Sequence, residues 1–82
     1  MNNETMFPEV QRILAKQLRK EQASITLESK IKDELGADSL DILQLLMRIE
    51  DEYGIVIPDE KLANFVQVKD VVEFLDSQPK QQ

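Results

Sequence analysis

Eighty-two residues, 41% apolar and 32% charged, build one modest core and no second domain, which excludes a deep self-enclosed enzyme cleft. The chain holds neither cysteine nor histidine, which removes disulfides, thiolate metal sites and the usual general base. Its net charge of −6 is uneven: residues 33–60 carry nine acids against one base, Arg48, while residues 1–32 carry six bases and four acids, so the middle repels phosphate backbones and is drawn to basic surfaces.

The opening "MNNETMFPEVQ" has no basic stretch followed by an apolar run, and no window is long and apolar enough to span a membrane. A cytoplasmic protein is the expectation. From Phe7 to about Lys20, Phe7, Val10, Ile13, Leu14 and Leu18 recur at helical spacing, with Pro8 in the tolerated first turn and Thr5 or Met6 at the cap. This is helix one. Residues 21–38 hold apolar anchors at Ile25, Leu27, Ile31 and Leu35 without a sustained period, then Gly36 as a stop. They read as a long loop with a helical turn near 28–34, longer than most connections and therefore functional or partly structured.

Helix two spans about Ser39 to Tyr53, with Asp38 as N-cap, Asp41 completing an aspartate version of the capping box, and Gly54 ending it. Helix three is short, Asp59 to Ala63 after Pro58, and helix four runs from about Val68 to Asp76 on Val68, Val71, Val72 and Leu75. "YGIVIP" is the one strand-like run, and without a partner it reads as a buried connector. The expected fold is all-α: a small four-helix bundle in a single domain over 1–82, ordered from about 5 to 77, with "SQPKQQ" as a flexible tail.

Helix two has more apolar residues than one face needs. At about 100° per residue, Ile42, Leu45, Leu46, Ile49 and Tyr53 share one arc, the core face. Leu40, Leu43 and Met47 form a second arc, flanked by Gln44, Glu50 and Asp51 and starting beside Ser39. An apolar centre with a charged rim has the make-up of a contact surface. Catalysis by Ser39 itself fails for want of a base, since there is no histidine and the nearby Asp38 and Asp41 are carboxylates, poor bases for a hydroxyl proton. Asp33, Glu34, Asp38 and Asp41 lack the alternating ligands of a calcium loop, leaving open only weak divalent association. A phosphoester on Ser39 would sit well at the helix start, with Asp38 and Asp41 partly offsetting the favourable dipole.

The stretch "ELGADSLDILQLLMRIEDEYGIVIPDE" resembles the second-helix region of acyl carrier proteins: an Asp-Ser-Leu triplet after Gly-Ala, an acidic amphipathic helix, then Ile-Pro-Asp-Glu into a short helix. The resemblance extends over nearly the whole chain, with "VQVKDVVEFL" as the last helix. It implies a free-standing carrier of bacterial fatty-acid synthesis, with no catalysis of its own. Ser39 would receive 4′-phosphopantetheine from coenzyme A through a phosphopantetheinyl transferase, and Asp38 would help hold that enzyme's magnesium. The imported thiol accounts for the missing cysteine. Leu40, Asp41, Leu43, Gln44, Met47, Arg48, Glu50 and Asp51 would form the surface read by ketosynthase, reductase, dehydratase and acyltransferase partners. Leu46, Ile57, Leu62 and Phe65 would line the acyl pocket, and the carrier would be monomeric.

Three positions depart from the family's pattern. Gln44 stands where a glutamate is common and Arg48 where a small residue is common, so the partner surface is less acidic than usual. Gln67 replaces the usual hydroxyl cap before the last helix, an expected loss of about 1 kcal/mol. A polyketide or peptide carrier, an unmodified acidic interaction module and a divalent-ion sensor stay open at this level.

Overall fold

The computed structural model describes residues 5–78. Its α-helices are α1 (Phe7–Leu18), α2 (Ser39–Tyr53) and α3 (Val68–Asp76), joined by irregular chain that includes short 3₁₀ helices at Gln22–Ser24 and Asp59–Asn64. The all-helical class holds, but the count of four does not. The expected third helix is a six-residue 3₁₀ segment, closed by Lys61 N–H to Pro58 O and Phe65 N–H to Leu62 O. Pro58 and the buried Phe65 hold its ends in extended backbone, leaving too few residues for an α-helical ladder, and the tighter 3₁₀ pattern suits a short run.

α1 packs against both α2 and α3. It stops before the expected Lys20, because Arg19 takes a left-handed conformation at φ 60° and Lys20 N–H turns back to Ala15 O. Met6 and Ala15, which the apolar spacing did not single out, are buried, while Phe7 and Leu18 sit half-buried at the edge of the core. α2 inserts Ile42, Leu45, Leu46 and Ile49, and α3 inserts Val68, Val71, Val72 and Leu75, the residues expected from their spacing. Tyr53 is half-buried against this core.

The long connection between α1 and α2 is part of the core. Ile25, Ile31 and Leu35 are buried, whereas Leu27 faces out. Turns close at Ser29 N–H to Thr26 O and at Glu34 and Leu35 N–H to Lys30 O, so the helical turn expected near 28–34 is a run of irregular turns. The segment also satisfies the start of α3. Val68 N–H bonds to Ser29 O and Lys69 N–H to Leu27 O, while Ile31 N–H reaches Val66 O. Orphan donors of a helix N-terminus are here absorbed by loop carbonyls.

Gln67 has no capping bond from its side chain. Its amide donates to Glu28 O at 3.0 Å, and the Asp70 carboxylate accepts from Val66 and Gln67 N–H at 3.0 and 2.9 Å. The α3 N–H groups near that missing cap are met instead by the Ser29 and Leu27 carbonyls. The connector 54–58 is buried only on alternate residues: Ile55 and Ile57 point inward, and Val56 is 81% exposed. Extended backbone explains this, since successive side chains alternate sides. Ser77 and Gln78 N–H still bond to α3 carbonyls; the rest of the tail, 79–82, lies outside the described residues.

Candidate functional site

Three anchors position the start of α2. Gly36 turns the chain at φ +77°, where a Cβ would meet nothing within 4 Å, so glycine serves the backbone conformation alone. Ala37 is buried and donates its N–H to Ile31 O at 3.1 Å. Asp38 then caps: its Oδ1 accepts Asp41 N–H at 2.9 Å, and Asp41 Oδ2 accepts Asp38 N–H at 3.1 Å. The aspartate capping box read from the sequence is therefore formed. From α1, the Gln17 amide donates to Asp41 O at 2.6 Å, locking this turn to the neighbouring helix. Nothing in the spacing of helix one marks Gln17 for that role.

Ser39 is the first residue of α2 and is exposed. Among the described residues neither its hydroxyl nor the N–H groups of Ser39 and Leu40 have a protein hydrogen-bond partner. An exposed hydroxyl beside two unpaired N–H groups at the positive end of a 15-residue helix suits a phosphoester anion. Asp38 and Asp41 temper that field, and their carboxylates are partly occupied by the cap.

Leu40 and Met47 are 59% and 56% exposed, and Leu43 is half-buried. Gln44, Met47, Arg48, Glu50 and Asp51, with Glu52, line one open groove along α2. Glu50 is also structural, accepting Ile57 N–H at 2.8 Å and so fixing the chain after α2. Arg48 lies 3.8 Å from Glu52, which lies 3.8 Å from Arg12. Arg12 in turn meets Glu9 at 2.6 Å, and that hydrogen bond holds the Glu9 carboxyl below its ordinary value. Burial, then the nearby Glu9 charge, pushes the Tyr53 phenol up.

A cleft of about 200 Å³ brings together Leu43, Leu46, Met47, Glu50, Ile57 and Leu62. It unites three of the residues expected around an acyl chain with the edge of the exposed strip. Phe65 stands apart from this lining; it is buried and tilts against Phe74 with ring centroids 5.9 Å apart. Among the described residues no group of three or more carboxylates is placed to hold a metal ion. The crowded acids repel one another, so sodium chloride or magnesium is expected to raise the thermal midpoint by screening. A midpoint that stays flat or falls across that titration removes repulsion as a destabilising term.

Among the described residues no helix is long and apolar enough to cross a membrane. The family model for the phosphopantetheine attachment site matches residues 8–75. An acyl carrier protein of Treponema pallidum is 47% identical over 72 residues, covering 88% of this chain and 92% of its own length. One from Exiguobacterium sibiricum is 42% identical over 78 residues, covering 95% and 99%. A solved structure of acyl carrier protein from Enterococcus faecalis superposes with a TM-score of 0.76 at 28% identity, covering 90% of this chain and 94% of that one. The chain is a member of the acyl carrier protein family, whose covalently attached group is 4′-phosphopantetheine.

Proposed function

We propose that Ser39 is the attachment residue and that the whole chain works as one non-catalytic carrier domain in cytoplasmic fatty-acid synthesis. The observation that carries this reading is the exposed Ser39 hydroxyl at the start of α2, beside two unpaired N–H groups and inside a cap formed by Asp38 and Asp41. When bound, 4′-phosphopantetheine supplies a terminal thiol that holds an acyl group as a thioester. The chain's residues do the rest. The unpaired Ser39 and Leu40 N–H groups would receive the phosphoester, and Asp38, whose Oδ1 closes the cap with Asp41 N–H, would offer its other carboxylate oxygen to the transferase's magnesium.

Leu40, Leu43 and Met47 offer apolar contact to the enzymes that act on the cargo, and Asp41, Glu50 and Asp51 steer basic surfaces towards it. Such docking is fast and weak, which suits a carrier that must leave for the next enzyme. Leu46, Ile57 and Leu62 give the cargo an apolar cleft; Phe65, packed against Phe74, is kept as a residue of the surrounding core. The test is the intact mass after incubation with coenzyme A, magnesium and a broad-specificity phosphopantetheinyl transferase. The expected result is a gain of one phosphopantetheine; no gain, while a control carrier is modified, ends the reading.

A further inference from the structure

α1 and the turn after it carry four cations, only one of which is in an ion pair among the described residues. Arg12 and Lys16 stand one turn apart on α1, and Arg19 and Lys20 follow just past its end. Together they line a shallow hollow of about 580 Å³ in which Glu21 is the one carboxylate. Arg12 is shared between Glu9 and Glu52, but Lys16, Arg19 and Lys20 have no ion pair among the described residues. A second hollow, of about 350 Å³ between α1 and α2, is lined by Arg12, Ile13, Lys16, Gln17, Gln44 and Arg48, with no carboxylate.

These hollows join the groove described above. Gln44 and Arg48 line both the inter-helix hollow and the groove that ends in Glu50, Asp51 and Glu52. One continuous band therefore runs from an acidic end on α2, across Gln44 and Arg48, to a basic end on α1. It passes close to the attachment turn, because Gln17, in its middle, is bonded to Asp41 O. The two departures from the family's acidic pattern, Gln44 and Arg48, stand where the sign changes.

Resting on the reading of Ser39 above, we propose that the docking surface of this carrier extends across α1 as a basic flank. The partner that fits it is an enzyme whose face sets carboxylates beside the basic area that receives α2. An enzyme seated over Ser39 and the turns after it covers the middle of the band and meets Lys16. The transferase that modifies Ser39 is the one partner the attachment obliges, and it is the probe here. Like charges juxtaposed at an interface are costly, and opposite charges set both association and register.

The test compares the full-length apo protein with Lys16→Glu/Lys20→Glu, using the transferase encoded by the same genome. Arg19 is left in place because of its left-handed backbone. The expected result is a rise in KM of about tenfold with kcat little changed. Lys30→Glu/Lys32→Glu, an equal charge change away from the band, is expected to leave KM unchanged or lower it. The sign discriminates, since a carrier read only through its acids should dock better when made more acidic.

An unchanged or lower KM for Lys16→Glu/Lys20→Glu overturns the proposal. If that variant is unfolded, Lys16→Gln/Lys20→Gln replaces it, with a rise of about threefold expected. Binding of the wild type to phosphatidylglycerol vesicles that the variant loses, with KM unchanged, assigns these cations to a membrane and likewise overturns it. A broad-specificity transferase separates the two levels. If it modifies the wild type and both variants, the attachment site is intact and any KM change belongs to the flank; if it modifies none while a control carrier gains the arm, the reading of Ser39 fails and the proposal with it.

Discussion

Replacing Ser39 by alanine is expected to abolish modification by the transferase while leaving the fold intact. The residue is exposed and is the first in α2, whereas the cap is supplied by Asp38 and Asp41. Removing its hydroxyl breaks no protein hydrogen bond among the described residues, and alanine is the better helix former. Stability should therefore stay within about 0.5 kcal/mol, or roughly 4 °C in midpoint for a domain of this size. Intact mass spectrometry reads the first half of the prediction and thermal denaturation the second. A variant that still gains one phosphopantetheine places attachment elsewhere. One that loses both modification and structure makes Ser39 a folding residue.

Leu45→Ala is expected to do the reverse, destabilising the fold while leaving the Ser39 hydroxyl in place. Leu45 is 0% exposed at the centre of the α2 core face, and truncating such a leucine costs about 2–5 kcal/mol through lost burial and the cavity left behind. A domain of this length has only about 4–12 kcal/mol in total, so the midpoint should fall by roughly 10 °C or more. Leu40→Ala is the control. It stands one residue past Ser39 and is 59% exposed, so its stability should change by less than about 0.5 kcal/mol. A Leu45→Ala protein that melts within a few degrees of the wild type would falsify the placement of the core on that arc.

Together these substitutions separate the two apolar arcs of α2, one holding the bundle and the other meeting solvent. The arcs were legible because a helix of 15 residues samples its circumference several times, and each apolar position then reports its face. The Asp38 and Asp41 cap and the Gly54 stop were legible for a related reason, since they depend on neighbours within one turn. The short segment after Pro58 offered no such repetition. Five or six residues do not distinguish an α-helix from a 3₁₀ helix by spacing, and its geometry follows from how Pro58 and Phe65 are held. Gln67 shows the same limit, because the cap it does not supply is answered by the Leu27 and Ser29 carbonyls, far away in sequence.

The helical class, the faces of α1, α2 and α3, the capped turn bearing Ser39 and the acidic middle can be read from residue order, because each rests on residue spacing or on contacts within a turn. That the 21–38 segment completes the core and feeds carbonyls to α3 emerges from the folded chain. It alone showed Gln17 fastening α1 to the attachment turn, Glu50 holding Ile57, and Leu46, Ile57 and Leu62 sharing a cleft apart from Phe65. Those features depend on which backbone and side-chain groups remain unpaired once the helices have packed, and distant segments supply the partners.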